Sequence, residues 1–129
     1  MRRKHHLAEL QLAIMHVLWE QGEATVSDVR KALEPARSLA YTTIGTMLAK
    51  MEEKGQVKHR SDGRVNVYHA VVRRDQVSRS MVSDLADRLF HGDVAQMVCH
   101  LLDAREVTAE NLAELKQLIR QKEKELKDE

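Results

Sequence analysis

SLAYTTIGTMLAKMEEKG, residues 38–55, sorts by helical angle into two unlike faces. A helix over Ser38 to Lys54 puts Ala40, Tyr41, Ile44, Met47, Leu48 and Met51 on one side, an apolar stripe that reads as core. The opposite side carries Leu39, Thr42, Thr46, Lys50 and Glu53, with Thr43 and Gly45 at its edges. This second surface is small and polar and starts without bulky side chains, so it can enter a DNA major groove. Threonine hydroxyls can bond phosphates or base edges, their methyls can touch thymine methyls, and Gly45 lets the helix backbone come close. Ser38, Leu39, Thr42, Thr43, Thr46 and Lys50 are therefore the candidate contact set on this helix; a solvated polar face is the alternative.

Downstream, Gly55 stops the helix and the period changes. Val57 to Ala70 is β-rich and broken at Asp62-Gly63, a strong hairpin signal. Near the tip stand Lys58, His59, Arg60 and Arg64, basic residues that suit phosphate or minor-groove contacts. A charged edge that blocks pairing with other strands would look the same. Upstream, Thr25 with Asp28 resembles a capping box, and Val26, Val29 and Leu33 mark a short helix that ends before Pro35. Before it, Leu7, Leu10, Ile14, Val17 and Leu18 recur at helical spacing up to Gly22, and Leu12, Met15 and Trp19 form a second stripe on the same helix. Three helices followed by a basic hairpin predict an N-terminal winged helix-turn-helix over residues 1–74.

The whole chain is 129 residues, 43% apolar and 32% charged but only 3% aromatic, so its core must be built from aliphatic side chains and Met. Its formal charge of +1 hides an asymmetry. Residues 1–74 carry 13 basic and 8 acidic side chains, a net of +5, whereas residues 75–129 carry 8 and 12, a net of −4. A basic module that meets nucleic acid, joined to one that does not, gives this division. No apolar run approaches the ~20 residues of a membrane span, and the basic start, Met1 to His6, leads into an interrupted amphipathic pattern. A cytoplasmic protein without membrane insertion is expected, with His5 and His6 on a mobile arm.

Residues 75–129 read as a three-helix dimerisation segment. Val77, Met81, Leu85 and Leu89 mark a helix ending at Gly92; Asp93 caps a second with Val94, Met97, Val98, Leu101 and Leu102; Thr108 caps a third with Leu112, Leu115, Leu118, Ile119 and Leu126 before a frayed Lys-Glu tail. Helices this short expose a large apolar face that a second copy would bury. Met81, Leu85, Leu89, Val94, Met97, Val98, Leu101, Leu112, Leu115 and Ile119 are the candidate dimer contacts. The fold class expected is mainly α with a small β-hairpin. Cys99 stands alone and is read as a buried structural residue; no metal site and no cofactor motif is seen, and no phosphate-gripping loop or nucleophile arrangement suggests an enzyme. Glu52-Glu53 is explained by solvation.

Leu10 to Trp19 (LQLAIMHVLW), Val26 to Leu33 (VSDVRKAL), Ala40 to Gly55 (AYTTIGTMLAKMEEKG), Gly63 to Tyr68 (GRVNVY), Phe90-His91-Gly92 and Met97-Val98 together resemble the BlaI/MecI/CopY family of penicillinase-type transcriptional repressors. The resemblance covers nearly the whole length. It implies a homodimeric repressor whose winged helices occupy a dyad of double-stranded operator DNA. It implies base-facing or phosphate-facing roles for Thr42, Thr43 and Thr46, and wing roles for Arg60 and Arg64. Thr42 stands where better-known members carry lysine, so operator sequence is not carried over. In the penicillinase branch a membrane sensor protease cuts an Asn-Phe bond; the regulatory cleavage position falls here on His100-Leu101, a departure from that pattern. The Cys-x-Cys pairs of the copper branch are missing. A winged helix that docks on another protein is the alternative reading.

Overall fold

The computed structural model describes residues 8–128, so Leu7, His5, His6 and the rest of the basic start lie outside the described residues. Two compact units divide after Asp84. The first opens with helix α1, Glu9–Gln21, which ends where Gly22 takes φ 85°, a left-handed value that favours glycine. Both stripes of α1 turn inward: Ile14, Met15, Val17 and Leu18 are buried, and Leu10, Leu12 and Trp19 pack against the same core. Trp19 Nε1 donates to the Val72 carbonyl at 2.9 Å, joining α1 to the segment after the hairpin.

Strand β1, Glu23–Thr25, follows directly and was not foreseen from the sequence. Three residues are too few to show a period, and Ala24, though 1% exposed, is no strand former. Thr25 then caps helix α2, Val26–Leu33. The Asp28 N–H donates to Thr25 Oγ1 (3.1 Å) and the Thr25 N–H donates to the Asp28 carboxylate (3.0 Å), the reciprocal pair the sequence suggests. The bond from the Thr25 backbone, followed by that from its side chain, holds the Asp28 carboxyl below its ordinary pKa.

Helix α3 spans Tyr41–Glu53, with Ile44, Leu48 and Met51 fully buried. Strands β2, Val57–Asp62, and β3, Val65–Ala70, form the hairpin. β1 adds to it, giving a three-stranded antiparallel sheet in the order β1-β3-β2 rather than an isolated pair of strands. A third strand supplies the support that a two-stranded hairpin lacks in water. The pairing of Asp62 with Val65 makes Gly63-Arg64 the two-residue loop, one position later than Asp62-Gly63 suggests. Gly63 alone of the two has positive φ (65°), the pattern of a type II′ turn with glycine first.

Helix α4, Arg74–Phe90, starts at the boundary expected between the domains, but its first turns belong to the first unit. Val77 is 2% exposed within that core, and Met81, grouped by sequence with the dimer contacts, packs against it. The apolar period of α4 is thus packed against the core at Val77 and Met81 and exposed at Leu85 and Leu89.

In the second unit, His91 (φ 49°) and Gly92 (φ 79°) terminate α4. The Asp93 side chain accepts from the Gln96 N–H at the start of α5, Val94–Ala104, and Thr108 shares a capping box with Asn111 at the start of α6, Ala109–Lys127. Both caps match the sequence reading. The helix does not dissolve into a tail: α6 stays helical through Lys127, with Lys122 and Glu125 paired one turn apart at 3.8 Å. No described residue of α5 or α6 is buried.

Candidate nucleic-acid interface

The outer face of α3 is organised by how the chain enters the helix. Ala40 is the N-cap residue, extended at φ −71°, ψ 148°, and its methyl group offers no side-chain cap. The helix therefore begins at Tyr41 rather than at Ser38. Two contacts fix the approach: Arg30 Nε of α2 donates to the Leu39 carbonyl at 3.1 Å, and the Leu39 side chain packs against the core. Leu39, off the helix, thus joins the core, and Tyr41, at the open first turn of the buried stripe, does not. Leu39 is half-buried with the core, whereas Tyr41 stands 48% exposed. Ser38 is exposed on the extended approach, ahead of the helix.

Thr42, Thr43, Thr46 and Lys50 are brought together as the sequence predicts. With Met47 they line a shallow, open groove of about 340 Å³ on the exposed side of α3. Lys50 has no ion-pair partner among the described residues, so the groove carries an unneutralised cation beside three hydroxyls. Gly45 is helical, and a methyl group built on it meets no atom within 4 Å. Hydroxyls, methyls, one unpaired cation and a bare stretch of backbone make a surface suited to phosphate oxygens and base edges.

The wing is less freely charged than its composition suggests. Arg60 Nε and Nη2 both donate to Glu23 Oε2, at 3.1 and 2.8 Å, tying β2 across the sheet to β1. His59 Nδ1 stands 2.6 Å from Glu52 Oε1, and its ring tilts against Tyr68 at 5.3 Å, which fastens the hairpin to α3. Among the described residues Lys58 and Arg64 have no such partner, and Arg64 sits in the turn itself. The unforeseen β1 is what supplies Glu23. Sequence reasoning could not anticipate the pairing without that strand.

The second unit places Leu85, Leu89, Val94, Val98, Leu101, Leu112 and Ile119 on exposed positions, Leu89 at 65% and Val94 at 66%. Met97 and Leu115 are intermediate. Cys99, expected to be buried, is exposed, because α5 has no buried side in a single chain. His100 and Leu101 lie within α5; the His100 ring meets Phe90 edge-on at 5.0 Å and its Nδ1 is 3.1 Å from the Gln96 carbonyl. Among the described residues, no helix is long and apolar enough to cross a membrane, and no group of three or more His, Cys, Asp or Glu could hold a metal ion.

Residues 7–121 match the family described as penicillinase repressor. The penicillinase repressor of Bacillus licheniformis is 25% identical over 119 residues, covering 92% of this chain and 93% of that protein. The transcriptional regulator BlaI of Mycobacterium tuberculosis is 34% identical over 105 residues, 80% of this chain and 76% of its own. Among solved structures, the DNA-binding domain of the repressor BlaI superposes with a TM-score of 0.51 at 28% identity, over 59% of this chain and 93% of that domain.

Proposed function

The chain belongs to the penicillinase repressor family, and from that premise we propose that it is a homodimeric transcriptional repressor whose α3 reads operator DNA from the groove of Thr42, Thr43, Thr46 and Lys50. The observation that carries this reading is the groove itself, a threonine-lined and cationic surface on a helix whose other side buries Ile44, Leu48 and Met51. Threonine and lysine in place of large apolar side chains favour DNA over a protein partner. Arg64 extends from the wing turn toward phosphate. Arg60 joins it when a phosphate displaces Glu23, and until then it braces the sheet.

Two copies joined through the second unit would set two α3 helices on half-sites about 34–36 Å apart or a multiple of that spacing. The exposed leucines, valines and Ile119 of that unit support such a pairing. A gel shift tests the reading, using the dyad repeat from the DNA upstream of the gene and comparing wild type with Thr43→Ala plus Thr46→Ala. The double variant should lose most of its preference for the repeat over random DNA. Equal preference in both proteins would move the reading surface off α3.

A further inference from the structure

The chain has four aromatic residues of the Phe, Trp and Tyr types, and three of them are engaged. Tyr68 is buried, Trp19 is hydrogen-bonded and meets His16 edge-on, and Phe90 meets His100. Tyr41 is the exception: nearly half of it is exposed, and neither its ring nor its hydroxyl has a partner among the described residues. It is also held in place. Tyr41 is the first residue of α3, one turn ahead of Ile44 on the stripe that leads into the core, and the preceding segment is fixed by the Arg30 bond to the Leu39 carbonyl. A tyrosine with two soft side-chain torsions, standing on an anchored helix start, is an ordered contact surface that costs little entropy to engage.

Resting on the operator-binding reading above, we propose that Tyr41 is a DNA contact residue that grips the sugar-phosphate backbone: its hydroxyl donates to a phosphate oxygen and its ring packs on deoxyribose. Its direction on the helix selects this role. Successive residues turn by about 100°, so Tyr41 lies on the flank between the buried stripe and the face centred on Thr42 and Thr46. The N-terminal residues of a recognition helix are those nearest the DNA, and tyrosine is among the side chains that bond phosphate oxygens there. Tyr41 therefore fixes how α3 is seated, while the threonines discriminate sequence.

Fluorescence anisotropy at several salt concentrations tests the assignment, with two duplexes of equal length, one holding the upstream repeat and one of random sequence. Tyr41→Phe should weaken binding to both by the same factor, about ten- to a hundredfold, the worth of one hydrogen bond to a charged group. Its salt slope should match that of wild type because no charge is lost, whereas Lys50→Ala should reduce the slope by ~0.9. Tyr41→Ala should weaken both complexes further, with the melting temperature of the free protein unchanged. Wild-type affinity in Tyr41→Phe overturns the proposal, even if Tyr41→Ala binds less well. The two readings fail separately: a wild-type protein that cannot tell the duplexes apart sinks operator reading, and a Tyr41→Phe variant that binds like wild type sinks only the tyrosine contact.

Discussion

The first unit closes a core around Ile14, Met15, Leu18, Val29, Ile44, Leu48 and Met51 and leaves threonines and lysines outside; the second buries nothing on α5 or α6 and leaves leucines and valines outside. Both are made of amphipathic helices with well-formed caps. The difference is what the apolar stripes meet. In the first unit a three-stranded sheet and three helices cover one another, with the start of α4 added. In the second, three helical segments have too little area to do so, and each half-exposed Leu or Ile leaves about 1 kcal/mol of burial unrealised. The first unit closes its core within a single chain, whereas the second leaves its apolar stripes exposed.

The largest effect that separates the two is expected in the first unit. Leu48→Ala removes a fully buried side chain from α3 and should cost about 2–5 kcal/mol in urea unfolding, by the same amount at low and high protein concentration. A loss that vanishes as the protein is diluted would mean that the first unit also depends on association. Next in size is Ile119→Asp, at a position already 56% exposed on α6. The single chain should tolerate it, with helix content by circular dichroism unchanged. Self-association measured by sedimentation should weaken by about 1.5–3 kcal/mol, roughly tenfold or more in the dimer constant. An unchanged dimer would take Ile119 out of the contact surface.

The same contrast explains what was legible in the sequence. Helices were readable wherever a cap and an apolar period agreed, as at Thr25, Asp93 and Thr108, because both signals are local. The groove of Thr42, Thr43, Thr46 and Lys50 followed from helical angle alone. Errors arose where a distant contact decided a local outcome. The start of α3 depends on Arg30 reaching Leu39 nine residues away, and on Leu39 packing with the core, so Tyr41 ends on the first turn, exposed, although its spacing from Ile44 reads as core. Arg60 reads as a wing cation, and its pairing with Glu23 escapes the sequence because Glu23 lies on a strand too short to announce itself, 37 residues earlier. Cys99 was given a buried site that a single chain does not contain.

Gly45 provides the smallest effect and the sharpest separation between stability and function. Within α3 it weakens the helix by about 0.5–1 kcal/mol relative to alanine, and an added methyl group would touch nothing within 4 Å. Considered as a fold alone, Gly45→Ala should raise the melting temperature by a few degrees. Considered as an interface, it should do harm, since a methyl group there stands between the α3 backbone and the DNA beside Thr42 and Thr46. The expected result is therefore a variant that is more stable and binds the upstream repeat less tightly, measured by calorimetry and anisotropy on the same sample. If affinity holds or rises along with stability, the backbone at Gly45 does not approach DNA, and α3 must sit in the groove on its Thr43 and Lys50 side instead.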